Sequence, residues 1–306
     1  MPKPEAVTFK QLRALRAVAE YGSITAASEV LSLTAPAVHT QLKALETHFN
    51  CKLLDRSSHG VTRLTPQGEA VLVAARTADT AIEACADHVR ALNEGMEGLV
   101  TLGVVSTGKY FGPRIVAQLH NAYPTIEVLL RVGNRDTVIS ALQGAAVDLA
   151  IMGRPPRVPE VNATVLGPHP HVLIAAPGHR LSDQGRIAPA GLLEETFLVR
   201  EEGSGTRILT RRYLDKVAQG RPYRLMELDS NETIKQAVIA GLGIALISRH
   251  TIDDELRAGR LVEIEAEGLP LVRQWFLVHR RDTSLSTAGK RVHDYICGMQ
   301  GSFLPL

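Results

Sequence analysis

Seven apolar residues at helical intervals constrain this chain more than any other feature. Val71, Ala75, Ala78, Ile82, Cys85, Val89 and Leu92 recur at alternating steps of four and three, which is a heptad seam. Thr65-Pro66 opens the pattern as a cap followed by proline at the first helical position, where a missing N–H is harmless. A helix from Pro66 to Leu92 would be about 40 Å long at 1.5 Å per residue, too long for a small preceding head to cover. The spacing therefore predicts a dimerisation helix. It divides the chain into a head of residues 1–65, a linker helix of residues 66–94 and a body of residues 95–306. Cys85 falls on the seam and reads as a small core residue rather than a redox thiol. Gly95 and Gly98 then mark a hinge and a domain boundary.

The head reads as three short helices. Thr8 and Gln11 form a capping-box pattern, and Gly22 stops the helix they open. Ser23 caps a second helix through Ile24, Ala27 and Val30-Leu31, and Thr34 caps a third after a tight turn. Pro36 sits in the first turn of that third helix, with Val38, Leu42 and Leu45 as its buried stripe. Two helices joined by so short a turn are a helix-turn-helix, whose second member can enter the DNA major groove. Strand-like pieces around Leu53-Leu54 and Val61–Leu64 then suggest a two-stranded wing tipped by Gly60. The chain's net charge is only +2, so any nucleic-acid surface must be local. Residues 1–65 carry eight Lys/Arg against five Asp/Glu, whereas residues 66–95 carry two against five. The basic charge, with His39, His48 and His59, belongs to the head. Thr34, Ala35, Pro36, His39, Thr40 and Lys43 face away from the buried stripe and are the candidate groove contacts.

From Leu99 onward strands alternate with helices, which predicts an α/β body with a largely parallel sheet covered on both faces. Two such runs, split near Pro168–Val172, suggest two lobes. Lobe I takes about residues 95–168 and 265–306, and lobe II about residues 169–264. Ligands of open α/β sheets sit at strand carboxyl ends, against helix N-termini. Four junctions there are rich in small polar or basic residues: Ser106-Thr-Gly-Lys109, Gly133-Asn-Arg-Asp136, Gly203-Ser-Gly-Thr-Arg207 and Asp229-Ser-Asn231, with Gly153-Arg154 beside them. The candidate ligand contacts are Ser106, Thr107, Lys109, Asn134, Arg135, Arg154, Ser204, Thr206, Arg207 and Asn231. Their cations and hydroxyls favour a small, phosphorylated anion.

Catalytic signatures are missing. There is no GxSxG, no phosphate-binding Walker loop, no HExxH and no Cys/His metal spacing, so neither an enzyme nor a resident cofactor is expected. His169-Pro-His171 reads as a solvated loop at the lobe crossover rather than a ligand pair. The three cysteines form no CxxC pair, the start Met1-Pro-Lys-Pro-Glu5 has no apolar leader, and no apolar run reaches membrane length. A cytoplasmic protein is expected.

Two resemblances sharpen these readings. "GSITAASEVLSLTAPAVHTQLKALE" followed by "LLDRSSHGVTRLTPQG" resembles the head of LysR-type transcriptional regulators across residues 7–68. That family usually has Gln after the capping residue and Ser-Arg or Ser-Lys further along, where this chain has Ala35, His39 and Thr40. Arg56 and Arg63 match the family's wing arginines, which implies phosphate contacts. The body resembles the family's effector domain, of the periplasmic-binding-protein type. "GVVSTGKYFGPRIV" and "VGNRDTVISALQGAAVDLAIMGRPP" look like regulators of Calvin–Benson–Bassham carbon-fixation operons. The likeness implies an activator of RuBisCO genes that binds operator DNA as a homodimer or tetramer, with RNA polymerase as a partner. It also implies sensing of NADPH, ribulose bisphosphate or phosphoenolpyruvate. A regulator of another metabolic operon, answering a different small anion, is the alternative.

Overall fold

The structure, a computed structural model, describes residues 4–56, 62–93, 97–182 and 184–305. His59, Gly60, Val61 and Gly95, and the side chains of Arg56 and Leu92, lie outside the described set. The chain forms two compact units, Met1–Ala84 and Cys85–Leu306.

In the first unit, α1 (Phe9–Tyr21) opens on the Thr8 capping box, with Gln11 Oε1 accepting from the Thr8 N–H at 3.0 Å. It closes at Gly22, whose φ of +74° suits glycine. Ser23 caps α2 (Ile24–Val30), and Thr34 caps α3 (Ala35–Phe49) by accepting from the Ala37 N–H. Leu15, Val18, Val38, Leu42 and Leu45 meet in one core, so the helix-turn-helix is set by packing as well as by caps. Strands β1 (Leu54–Arg56) and β2 (Thr62–Leu64) pair antiparallel, with Asp55 opposite Arg63.

Helix α4 (Pro66–Asn93) divides its seam between two environments. Val71 packs into the head core and Ala75 is buried. Beyond them Ile82 is 58% exposed, Val89 is 50% exposed, and Cys85 is exposed too. Cys85, expected as a small residue of the pairing seam, is exposed on the single chain, while the first turns of α4 pack on the head.

The second unit begins with β3 (Gly98–Val105), α5 (Gly112–Ala122), β4 (Ile126–Gly133), α6 (Arg135–Gln143) and β5 (Leu149–Met152). Both faces of β3 are covered, hence its nearly continuous apolar run, interrupted by the buried Thr101. Gly98, expected as a hinge, is instead a packing position: a Cβ there would stand 2.6 Å from the Ala288 Cβ. The chain continues through β6 (Val161–Ala175), α7 (Pro189–Leu192), β7 (Thr196–Arg200), α8 (Gly205–Ala218), β8 (Arg224–Leu228) and α9 (Asn231–Ile239). It ends with β9 (Ala245–Ser248), α10 (Asp253–Arg257), β10 (Val262–Ile264), β11 (Leu271–Arg280) and α11 (Thr287–Gly298).

The sheet is mixed, not largely parallel. Strands β3, β4 and β5 are parallel, but β11 runs antiparallel to β5 and, along its whole length, to β6. The far half of β6 pairs antiparallel with β9 and β10. One long strand pair therefore passes through both lobes. Residues 168–172, expected as a loop, lie in the middle of β6. Their prolines are the reason for the difference. Among the described residues β9 joins β6 only from His171 onward, so at Pro168 and Pro170 β6 has a strand on one side alone, where proline is tolerated. Apolar side chains cover both faces in each lobe. In the first, Leu102 packs with Ile115, Trp275 and Val292 on one face, while Val138 and Leu142 cover the other. Phe197 with Leu214, and Ile234 with Ile247, do the same in the second lobe. Among the described residues no helix is long and apolar enough to cross a membrane.

Candidate functional site

A cavity of about 150 Å³ opens in the second unit, where the carboxyl ends of β3, β5 and β7 meet the N-terminal turns of α6 and α8. Ser106, Thr107, Arg135, Arg154, Ser204 and Thr206, all expected from the sequence, line it. Arg200, Arg212, Arg273, His169 and His171 line it as well, with Val105, Met152, Ile208 and Leu209 as apolar wall. No carboxylate is among its lining residues. Among the described residues no salt bridge holds the guanidinium of Arg135, Arg154, Arg212 or Arg273. Burial, and the neighbouring charge of Arg154, lower the Arg135 pKa even though Asp136 opposes them. Ser204 precedes α8 without using its hydroxyl as a cap, so that hydroxyl and the first N–H groups of α8 remain for a ligand.

Arg200 is the exception among the cations. Only 4% of its side chain is exposed, and Glu201 grips it through Nε at 2.6 Å and Nη2 at 2.9 Å. Asn231 Oδ1 accepts from its Nη1 at 2.7 Å, and Ser106 Oγ accepts from its Nη2 at 3.2 Å. Ser106 follows β3 in lobe I, so this guanidinium ties the lobes together at the cavity floor. Glu201 also accepts from Asn134 Nδ2 at 3.3 Å, and the Gly203 carbonyl accepts from the Asp136 N–H at 3.2 Å.

Four expected contacts do not line the cavity. Asn134 caps α6, its Oδ1 accepting from the Thr137 N–H at 2.9 Å. Lys109 pairs with Glu232 at 3.3 Å, and Arg207 is occupied by Glu227 and the Arg200 carbonyl. Asn231 is buried beneath Arg200. Each sits at a strand end as expected but serves the walls. Sequence reasoning misses Arg200 although it directly follows the strand expected at Phe197–Val199 and ends the observed β7, where ligand contacts concentrate. It misses His169 and His171 because the prolines hide β6, and Arg273 because β11 begins earlier than its apolar core suggests.

On the head, Thr34, Pro36, His39, Thr40 and Lys43 are exposed or partly so, and Ala35 carries no side-chain polar group. The Thr40 hydroxyl donates to the Pro36 carbonyl at 2.9 Å, and Thr34 uses its oxygen as the cap. Arg63 is exposed on β2.

Residues 9–69 match the profile described as "Bacterial regulatory helix-turn-helix protein, lysR family", and residues 93–298 match "LysR substrate binding domain". The chain belongs to the LysR family. It is a DNA-binding transcriptional regulator and not an enzyme. The HTH-type transcriptional regulator CbbR of Cereibacter sphaeroides is 50% identical to it over 306 residues, 100% of this chain and 99% of that one. The RuBisCO operon transcriptional regulator of Allochromatium vinosum is 38% identical, with 95% of each chain covered. Among solved structures, the regulatory domain of Synechocystis PCC6803 CcmR in complex with 2-PG is 32% identical, with a TM-score of 0.63. That match covers 66% of this chain and 97% of the CcmR domain.

Behind the cavity of this LysR-type chain lies an aromatic stack. The His169 ring stacks on Trp275 at 3.8 Å between centroids, and the Trp275 indole N–H donates to His250 Nδ1 at 3.1 Å. His171 Nδ1 lies 3.2 Å from the His169 carbonyl. Burial drives all three imidazoles toward the neutral form. His171 and His250 fall to about 4, and His169 falls well below its ordinary value, with the other two histidines and Arg273 adding to the effect. In the unfolded chain each would take a proton near 6.5. As pH falls below that value the unfolded state gains protons that the folded state refuses, so stability drops. The loss runs between about 6.5 and 4. Melting followed through the chain's single tryptophan should give a lower midpoint at pH 5 than at pH 7, and His250→Phe should flatten that dependence. Equal midpoints would contradict neutral burial.

Proposed function

We propose that this LysR-type regulator activates Calvin-cycle genes, the RuBisCO operon among them, under control of a small phosphorylated metabolite held in the Arg-rich cavity. The observation that carries the effector reading is a cavity lined by five arginines and no carboxylate, four of them without a salt bridge among the described residues. Such a site has charge to spare for a dianion, and helix N–H groups to receive its oxygens. Its volume of about 150 Å³ corresponds to roughly ten water-sized positions. A compact phosphorylated acid such as phosphoenolpyruvate suits that space, and the larger ribulose bisphosphate and NADPH would extend from it toward the open side of the cavity. The names of the Cereibacter and Allochromatium relatives support the target genes, and the 2-PG complex of the CcmR domain supports a ligand in this half of the chain.

In this reading α3 is the recognition helix, with Thr34, Ala35, Pro36, His39, Thr40 and Lys43 toward the bases, and Arg56 and Arg63 on phosphates. A second copy of the chain covers Ile82, Cys85 and Val89 of α4, so that two heads read two half-sites. The regulator works in the cytoplasm, where Cys51, Cys85 and Cys297 stay reduced. An effector that binds one lobe arrangement better shifts the assembly toward it by its differential affinity.

Arg135→Ala and Arg154→Ala are each expected to weaken phosphoenolpyruvate or ribulose bisphosphate binding by about tenfold or more, the worth of a charge-assisted contact. Calorimetry measures this directly, and gel shifts without ligand should be nearly unchanged. Wild-type affinity in both variants would place the ligand elsewhere. On the head, Arg63→Ala is expected to weaken operator and non-operator DNA alike, and to flatten the dependence of log K on log salt by about 0.9. An unchanged slope would remove Arg63 from the phosphate contacts.

A further inference from the structure

His169 holds a polar atom that the fold leaves unsatisfied. Its Nδ1 is buried and has no hydrogen-bond partner, while its Nε2 lies 2.9 Å from Ser248 Oγ. The Ser248 side chain is fully buried, and among the described residues its hydroxyl has Nε2 as its sole hydrogen-bond partner. Where that hydroxyl donates to Nε2, the neutral ring carries its own proton on Nδ1, as an N–H donor. The other tautomer would leave both the hydroxyl proton and Nδ1 without a partner, so hydrogen-bond economy favours the first. A buried donor without an acceptor is costly, and such costs collect at functional sites.

The direction of this donor is fixed on every side. Trp275 stacks beneath the ring, and His171 and His250 lie around it. At Nδ1 itself the neighbour is Gly153: a Cβ there would stand 3.0 Å from the nitrogen. Gly153 and His169 both line the cavity. An ordinary side chain at 153 would press on Nδ1; glycine leaves the space beside it free of a side chain, while the nitrogen itself stays enclosed. Four arginines without salt bridges already supply charge, and charge attracts an anion in many orientations. A single neutral donor held rigidly adds position instead.

Taking the cavity as the effector site, we infer that His169 is a specificity-determining contact: its Nδ1–H donates to a second oxygen function of the effector, beside the phosphate that the arginines hold. The ligand class is then a phosphorylated acid or sugar with a carboxylate, carbonyl or hydroxyl oxygen close to the phosphate. Inorganic phosphate, which has no second function, gains nothing from His169. The apolar wall of Met152, Ile208 and Leu209 faces the carbon frame between the two ends.

The test is calorimetry on the full chain with phosphoenolpyruvate, ribulose bisphosphate and inorganic phosphate. His169→Phe keeps a ring on Trp275 but has no donor, Gly153→Ala covers Nδ1 with a methyl group, and His169→Asn returns an N–H near the Nδ1 position. The first two should weaken the tighter organic phosphate by about ten- to hundredfold and leave inorganic phosphate unchanged, and His169→Asn should lose less than His169→Phe. Unchanged organic-phosphate affinity in these variants would overturn the inference, as would an equal loss for inorganic phosphate, which marks a packing role. If His169→Phe fails to fold, Gly153→Ala decides by the same criteria. Arg135→Ala separates the two levels. Loss of binding there with none in His169→Phe keeps the cavity and removes His169, whereas wild-type chain that binds none of the three ligands overturns both.

Discussion

A guanidinium with 4% of its surface exposed has to be satisfied by protein groups, and the geometry of the cavity follows from how Arg200 meets that demand. Glu201 neutralises it, Asn231 fixes its orientation from lobe II, and Ser106 receives it from lobe I. Removing the Glu201 carboxylate would leave a buried charge uncompensated, a loss on the order of 3–5 kcal/mol. The same carboxylate reaches Asn134, which caps α6 and thereby aims Arg135. Charge satisfaction at Arg200 is thus linked, through Glu201 and Asn134, to the start of α6 that carries Arg135.

A second buried cation works beside it. Lys235 of α9 pairs with Glu255 at 2.9 Å and Glu232 at 3.0 Å and donates to the Thr251 carbonyl at 3.0 Å. Tyr110 of lobe I donates to Glu232 and lies with its ring 4.9 Å from the Lys235 ammonium. Burial and the Glu232 carboxylate push the Tyr110 pKa up, which keeps its proton available for that bond. Two polar clasps therefore cross between lobes that already share the β6–β11 pair. Interactions of this kind have discrete arrangements, and a ligand can select between them.

Local physical rules make much of this legible in the sequence. Thr8, Ser23 and Thr34 cap the helices they are expected to cap, because a cap depends on a few adjacent residues. The strand-end junctions bring Ser106, Thr107, Arg135, Arg154, Ser204 and Thr206 to one cavity. What stays hidden depends on long-range pairing. Pro168 and Pro170 argue against a strand until its partner is known, so β6, and with it His169 and His171, resembles a solvated loop. Lys109, Arg207 and Asn231 carry the right chemistry at the right junctions, but nearby Glu232, Glu227 and Arg200 occupy them, and such pairing cannot be read from spacing. The seam of α4 shows the same division. Its periodicity is local, while the burial of Val71 and the exposure of Ile82 depend on what lies beneath each turn.

Cations and helix starts from both lobes converge on the cavity, so one anion should engage the two lobes at once. Hydrogen exchange of the full chain, with and without saturating phosphoenolpyruvate or ribulose bisphosphate, reads this lobe by lobe. Bound ligand should slow exchange of the backbone N–H groups at Ser106–Lys109 and at the start of α6 in lobe I, and at the start of α8 in lobe II. Protection confined to one lobe, or found only outside the cavity, would show that the anion does not bridge them.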